Sequence, residues 1–170
     1  MKAFTPEISN IKDRKVLAVT VIGDPNEAQP YIEALYGTAY GTKFKIFKPK
    51  GVKMEIGELS AFWPDAHLKP RKEWTGIWGV EIPDYVTEDD LIQKNPDILV
   101  KIEKWKGGTV AQVLYEGIYS EEGPTVESLH KFIAEKGYEI AGNHEEIYLT
   151  KPDAKVPKTI IRYIVKKQGQ

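Results

Sequence analysis

The sequence contains 170 residues, of which 41% are hydrophobic and 29% are charged, and its formal net charge is -1 at pH 7. These values are typical of an ordinary soluble globular protein, long enough for one large domain or two small fused modules. The near-neutral charge argues against nucleic-acid binding driven by bulk electrostatics, and the absence of cysteine excludes disulfides, thiol catalysis and thiolate metal sites.

The residues also argue against metal, cofactor and membrane functions. Three histidines, His67, His130 and His144, are scattered without ligand spacing. We therefore expect no metal site and no cofactor, and we expect His67 and His130 at the surface. No apolar run approaches the length that spans a bilayer, and no signal peptide precedes the body. We expect a cytoplasmic protein with no membrane partner and no direct contact with nucleic acid.

The first half of the chain predicts the order strand, helix, strand, strand. Its β-branched run favours a buried strand, and a proline is well placed in the first turn of the helix that follows. In chain order, the predicted segments are a polar lead-in without much structure (1–14), a strand (16–22), a helix with Pro30 in its first turn, an irregular basic segment (43–53) and two strands (58–63 and 74–82).

The second half predicts the same order after a short connector helix. Thr87 is a suitable N-cap for the connector, and Gly137 lies where a glycine ends the second main helix. We interpret Trp105 as a local cover over the connector. In chain order, the predicted segments are the connector helix (87 to about 94), a strand (109–115), a helix that starts at Gly123-Pro124, and two strands (145–150 and 159–165).

The repeated order predicts an α+β fold. A single domain would consist of two β-α-β-β pseudo-repeats, at about 15–84 and 108–167, joined by the connector helix. The two modules are expected to pair into a curved antiparallel sheet assembly with two main helices on one side. The other side would be free to curve around a ligand.

The segment 142–150 carries the main chemical candidate. Neighbouring residues of a strand point to opposite faces, so Glu146 and Tyr148 share one face, and we expect Ile147 and Leu149 to pack into a core. His144 lies upstream on the side of Glu146 and either polarises it or only opens the strand; we favour the second role. Glu146 is either a solvated residue that pairs across to a lysine or a charge in a binding site.

Aromatic residues are numerous, with four tryptophans and nine tyrosines. Trp74 and Trp78 fall on one face of a predicted strand, where core packing is one interpretation. Gly76 and Gly79 flank the rings and would leave the space that a ligand shelf needs. Further candidates for the walls of a binding site are Trp63 at a strand end and Tyr36 and Tyr40 on one helix face.

Several segments, in this order, resemble a known family. They are Tyr115-Glu116-Gly117-Ile118-Tyr119, the Gly123-Pro124 helix start, residues 146–149 with Pro152, and the closing strand at 158–162. They are similar to the GyrI-like small-molecule-binding domain family, which includes effector-binding domains of multidrug-sensing regulators and stand-alone proteins. The first half resembles the stand-alone subgroup at 35–44, 62–63 and 74–84.

The resemblance implies duplicated β-α-β-β modules with a ligand cleft between the halves, aromatic walls and one acidic residue, which matches Glu146. It implies flat, often cationic aromatic ligands. Some stand-alone members hydrolyse cyclopropane-bearing DNA-alkylating natural products. The predicted ligand-binding residues are Glu146, Tyr148, Trp78, Trp63, Tyr115, Trp74, Tyr36 and Tyr40.

Three functions remain open at this stage. The leading hypothesis is a small-molecule-binding protein for hydrophobic, planar or cationic xenobiotics, with Glu146 as its buried charge. The first alternative is a hydrolase of electrophilic cyclopropanes in which Glu146 and Tyr148 (or Tyr115 as the hydrogen-bond donor) are catalytic. The second is a protein-interaction module of the gyrase-inhibitor kind. We interpret Glu121 and Glu122 only as charges near a helix N-terminus.

Overall fold

The computed structural model describes residues 1–66, 68–151 and 153–169. The strands are β1 (Glu7–Ile11), β2 (Arg14–Ile22), β3 (Leu59–Phe62), β4 (Thr75–Glu81), β5 (Lys101–Trp105), β6 (Gly108–Glu116), β7 (Tyr138–Ile140), β8 (Glu145–Tyr148) and β9 (Lys158–Lys167), and the main helices are α1 (Gln29–Thr42) and α2 (Gly123–Glu135). The predicted α+β class, antiparallel pairing and two main helices are confirmed. His67 and Pro152, which carried predictions, lie outside the described residues.

The chain forms two compact units. The central unit contains Arg14–Trp105, and the terminal unit contains Met1–Asp13 together with Lys106–Gln170. In the central unit the strand order is β3-β4-β2-β5, and in the terminal unit it is β1-β6-β9-β8, with β7 also paired to β9. One predicted pseudo-repeat falls in each unit, and the duplication itself stays a prediction.

The sequence did not predict β1 and β7 in the terminal unit or β5 in the central unit. The residues before β2 were expected to have little structure, but β1 pairs with β6, from Glu7 opposite Gln112 to Ile11 opposite Gly108. Similarly, β5 pairs with β2, with Trp105 opposite Arg14. Both β1 and β5 are short and largely polar, so they lack the apolar alternation that marks a half-buried strand.

Trp105 belongs to the core of the central unit. Its side chain is only 8% exposed and packs with Val16 and Ala18. The ring of Phe62 meets it edge-on at 4.7 Å, and the guanidinium of Arg14 lies 5.4 Å from the ring centre. The interpretation of Trp105 as a cover over the connector was therefore wrong.

The helix that begins with α1 is longer than the sequence predicted. The chain continues as a π-helix over Lys43–Phe47 and a 3-10 turn over Lys48–Lys50, where a loop or edge hairpin was expected. Gly51 then takes a left-handed backbone (φ 74°) and ends the helix. Pro49 lies in the final 3-10 turn, so it marks the approach to the end of the helix rather than a break in its middle.

The predicted connector helix is reduced to a 3-10 turn, Glu88–Asp90. The backbone N–H groups of Ile92 and Lys94 donate hydrogen bonds to the hydroxyls of Thr42 and Thr38 on α1, each at 3.1 Å. These bonds satisfy donors that a longer helix would use internally, so the rest of the segment runs along α1 instead. None of the helices in the described part of the chain is long and apolar enough to cross a membrane.

The terminal unit packs α2 on its sheet as the sequence predicted. Leu129 and Ile133 of α2 are buried against a cluster that includes Val113 and Ile161. Gly137 follows the helix with a left-handed backbone (φ 81°), which is the expected glycine at the end of the helix. This packing fixes the start of α2 beside the sheet, where the candidate site lies.

The space beside the central-unit glycines is filled by tryptophan rings. A Cβ atom at Gly79 would lie 2.6 Å from Cη2 of Trp105 and 3.0 Å from the carbonyl oxygen of Leu17. A Cβ atom at Gly76 would lie 3.0 Å from the indole nitrogen of Trp78 and 3.5 Å from that of Trp63. The glycines therefore allow close packing of rings, and the argument that they leave empty space for a ligand was wrong.

We expect Gly79→Ala to lower the free energy of unfolding by about 1–3 kcal/mol, because the added methyl group overlaps Trp105 and backbone. Chemical denaturation measures this change. Gly41→Ala is the matched control, since the nearest atom to its added Cβ beyond its own helix and chain neighbours is the carbonyl oxygen of Ile92 at 4.0 Å, and alanine is favoured in a helix interior. Equal stability of the two variants would contradict the packing described here.

Candidate functional site

The register of β8 and β9 places the face of Glu146 and Tyr148 toward α2. Glu146 lies opposite Ile161, which belongs to the core cluster under α2. Side chains opposite each other in an antiparallel pair share a face, so Glu146 faces the helix. On the other face Ile147 is buried as predicted, but Leu149 is 37% exposed because β8 has already ended.

Glu146 is buried and contacts a histidine. Glu146 is 6% exposed, and its Oε2 atom lies 3.1 Å from Nε2 of His144. His144 therefore acts on Glu146, and the interpretation that it only opens the strand was wrong. Glu145, on the opposite face, is also buried and lies 3.7 Å from the guanidinium of Arg162. Its carboxylate therefore has a structural partner.

Glu122 is the second carboxyl group of the site, and the sequence analysis missed it. It immediately precedes α2, and one ligand atom from each of Glu122, His144 and Glu146 lies within 4.8 Å of the others. The Oε2 atom of Glu122 is buried and accepts no hydrogen bond. Because its carboxyl group lies against that of Glu146, the two groups bond each other only when one of them carries a proton.

This arrangement changes the acidity of Glu122. Burial, the negative charge of Glu146 and the hydrogen bond between the two groups together raise the pKa of Glu122 to about 8, from an ordinary 4.5. Near neutral pH the two groups therefore share one proton and carry one negative charge. No local spacing links positions 122 and 146, so only the folded chain reveals the pair.

A phenol connects the pair to a second histidine. The hydroxyl of Tyr163 lies 2.7 Å from Nδ1 of His144 and 3.0 Å from Nε2 of His130. Burial, with the charges of Glu146 and Glu122, raises the pKa of Tyr163 to about 12, so the phenol keeps its proton. Burial and His144 lower the pKa of His130. His130 lies at the surface as expected, but its ring nitrogen belongs to this chain of hydrogen bonds.

Two further tyrosines lie beside the carboxyl pair. The rings of Tyr119 and Tyr148 meet edge-on, with centres 5.7 Å apart. Burial and the charge of Glu146 hold the pKa of Tyr148 well above its ordinary value, and burial also raises the pKa of Tyr119. Both phenols stay protonated at neutral pH and can donate hydrogen bonds to a ligand oxygen.

The hydroxyl of Tyr115 is already used within the fold. It donates to the carbonyl oxygen of Ile118 at 2.6 Å, and its ring belongs to the core cluster under α2. The bond closes a turn through Gly117, whose left-handed backbone (φ 153°) favours glycine. The place of Tyr115 in a ligand site stays a prediction.

The three tryptophans predicted to bind a ligand lie in the central unit. Trp63 and Trp78 contact each other, whereas Trp74 contacts Lys69 and Arg71. Trp63 and Trp78 meet edge-on, with ring centres 5.6 Å apart, and Trp78 is 8% exposed. Trp74 lies just before β4, and its indole N–H donates to the carbonyl oxygen of Lys69 at 2.9 Å. The guanidinium of Arg71 covers its ring at 5.2 Å. Trp74 is therefore apart from the Trp63–Trp78 pair.

The predicted tyrosines of the central unit lie together on α1. Tyr36 and Tyr40 stack with ring centres 6.2 Å apart, and Phe44 extends the stack by another 6.2 Å. Tyr40 is exposed and Tyr36 is half-buried. Their spacing on one helix face is as predicted, and their contact with a ligand stays a prediction.

The donor atoms of Glu122, His144 and Glu146 could also surround a divalent cation. The spacing of histidines and carboxylates along the chain does not indicate this group, because one ligand comes from the segment before α2. The absence of a metal site stays a prediction.

We expect Glu122→Gln to remove a pH dependence of stability. The folded pKa of Glu122 is about 8 and its ordinary value is 4.5, so the unfolded chain releases this proton first as pH rises. The contribution of Glu122 to stability therefore falls from about pH 4.5 to about pH 8. Thermal unfolding at several pH values should show a smaller decline in Tm for Glu122→Gln than for the unmodified protein.

The exposed neighbour Glu121 provides the control for this prediction. Glu121→Gln should keep the decline in Tm of the unmodified protein, because its carboxylate is solvated. A Glu122→Gln variant with the same decline would show that the shared proton is not held at this position.

Comparisons with known proteins extend over nearly the whole chain. The family profile described as GyrI-like small molecule binding domain matches residues 4–165. An uncharacterized conserved protein from Listeria innocua has a similar solved structure, with a TM-score of 0.84 and 29% identity, over 96% of this chain and 93% of that chain. No curated protein sequence matches the chain significantly.

Two hydrolases of solved structure from the same organism are also similar. The hydrolase encoded by lin2189 has a TM-score of 0.83 and 28% identity, over 96% of this chain and 93% of that chain. Another hydrolase has a TM-score of 0.81 and 26% identity, over 98% of this chain and 94% of that chain.

Proposed function

Because the chain belongs to the GyrI-like small-molecule-binding domain family, we propose that it binds hydrophobic, planar or cationic organic molecules at Glu146. The observation that carries this proposal is the pair formed by the buried Glu146 and the half-buried Glu122, which lies beside two protonated tyrosines. The pair carries one negative charge at neutral pH. The ligand is therefore expected to bring positive charge and aromatic surface.

The partners of Glu146 favour a cationic ligand. In the described part of the chain, Glu146 contacts His144 and Glu122, and no lysine or arginine pairs with it. A cation would supply the missing positive charge in a setting where water screens it weakly. The rings of Tyr148 and Tyr119 would add about 0.5–2 kcal/mol per cation–π contact.

The proposal predicts binding of tetraphenylphosphonium, a permanent cation with four phenyl rings. Isothermal titration calorimetry should detect binding to the unmodified protein, and Glu146→Gln should weaken it by about tenfold or more, which corresponds to ~1.4 kcal/mol. Tetraphenylborate, the anion of the same shape, should bind far less. Equal binding of both ions, or no effect of Glu146→Gln, would contradict a charge-selective site.

The aromatic contacts predicted from the sequence are part of the same proposal. Trp63, Trp74 and Trp78 can be replaced singly by phenylalanine, and quenching of the remaining tryptophan fluorescence by a cationic dye then shows which ring the ligand reaches. Tyr36, Tyr40 and Tyr115 remain predicted contacts. The cytoplasmic location and the protein-interaction alternative also remain predictions.

A second candidate function is hydrolysis of electrophilic cyclopropanes. It is supported by the structural similarity to two hydrolases from Listeria innocua and by a buried carboxyl group beside protonated phenols. Glu146 would take a proton from a water molecule as its oxygen attacks the strained carbon. The ring C–C bond then breaks, its electrons move to the conjugated carbonyl oxygen, and Tyr148 donates a hydrogen bond to that oxygen. The proton on Glu146 then passes to that oxygen, so the product contains one added water and the carboxylate is restored.

Incubation with a cyclopropane-bearing DNA-alkylating natural product tests the second candidate. Mass spectrometry should detect a ring-opened product that contains one added water, with the oxygen label of labelled solvent water. Glu146→Gln should lower turnover by about a hundredfold or more, because the base is lost. Tyr148→Phe should lower turnover less. Stoichiometric binding without product would exclude the hydrolase and leave the binding function.

A further inference from the structure

We propose that Glu122 and Glu146 form a proton-exchanging cation site. An organic cation takes the place of the proton that the two carboxyl groups share, and that proton leaves through His144, Tyr163 and His130. The inference rests on the proposed binding function and extends it, since it makes Glu122 a binding residue and links affinity to pH.

Glu122 and Glu146 share one proton. A carboxylate oxygen of Glu122 and one of Glu146 lie within 4.8 Å of each other, and Oε2 of Glu122 is buried without a hydrogen-bond donor. If both carboxyl groups were ionised, these neighbouring oxygens would repel each other, because water screens them poorly. One proton between the groups removes this repulsion and supplies the missing donor.

A permanent cation changes the ionisation of this pair. A positive charge beside the pair favours ionisation of both carboxyl groups, because it attracts each of them. Before binding, the pair carries charge -1 and the ligand carries +1. After binding, the pair carries -2, the ligand still carries +1, and one proton has gone to solvent. Charge is balanced, and no further reactant is needed.

A chain of hydrogen-bonding groups leads from Glu146 to the surface and gives the proton a path. Glu146 lies 3.1 Å from Nε2 of His144, whose Nδ1 lies 2.7 Å from the hydroxyl of Tyr163. That hydroxyl lies 3.0 Å from Nε2 of His130, an exposed residue of α2. Imidazole and phenol groups both donate and accept hydrogen bonds, so each member can pass a proton to the next.

The groups that face the pair identify the source of the proton. They are Tyr119 before α2, His130 on α2, His144 and Tyr148 around β8, and Tyr163 on β9. The tyrosines keep their protons at neutral pH, because burial raises their pKa values. Glu145 and Arg162 pair with each other on the opposite face. Burial and His144 lower the pKa of His130. The carboxyl pair therefore remains as the source, and the Glu122→Gln variant tests this assignment.

Calorimetry with tetraphenylphosphonium in buffers of different ionisation enthalpy tests the exchange. The probe has no exchangeable proton, so any buffer-dependent heat reports protons from the protein. At pH 7 we expect close to one proton released per bound cation. Affinity should rise by up to about tenfold per pH unit between pH 6 and 8 and then level off. In Glu122→Gln, release should disappear and affinity should become independent of pH.

Glu121→Gln is the matched control and should release the proton as the unmodified protein does. Binding without proton release would overturn this inference and leave the proposed function standing, whereas absence of binding would overturn the proposed function itself. Release that persists in Glu122→Gln would assign the proton to another group and overturn the shared-proton site.

Stopped-flow mixing with a pH indicator tests the path. Tyr163→Phe should slow the appearance of the proton in solvent relative to cation binding, because it removes the central hydroxyl. His130→Gln alters only the exposed end and serves where Tyr163→Phe fails to fold. Unchanged release rates in the folded variants would overturn the path.

Discussion

The contact between the carboxyl groups of Glu122 and Glu146 constrains the rest of the site. Two like charges cannot stay together in a buried setting, so the pair must hold a proton or meet a cation. The proposed preference for positive ligands follows from this contact, and the charge of Glu146 adds to burial in keeping Tyr119 and Tyr148 protonated. Its position depends in turn on α2, which begins directly after Glu122 and packs on the same sheet face.

Binding and hydrolysis make opposite demands on this pair. A receptor for cations gains from a charge that is available and weakly screened, whereas a general base needs a pKa near the working pH and a neighbour that can return the proton. A pair that shares one proton meets both demands. The two proposed functions therefore do not require different architectures, since the pair of Glu122 and Glu146 would serve either role according to the ligand.

Strand alternation was the strongest guide in the sequence. It placed Glu146, Tyr148 and His144 on one face, and the caps and apolar stripe of α2 were also readable, because they depend on neighbours in the chain. Glu122 was missed because its partner is distant in sequence, and β1 and β5 were missed because edge strands need little apolar alternation. The glycine argument failed for a similar reason: Trp105, which fills the space beside Gly79, comes from another strand.

The division of the chain has a consequence for its synthesis. The central unit is one continuous segment, complete once Trp105 has left the ribosome. In contrast, β1 is made first but pairs with β6, whose last residue is Glu116. β1 therefore cannot pair with β6 until the whole intervening segment has been synthesised. The polar composition of β1 suits this delay, because an apolar edge left open for so long would invite aggregation.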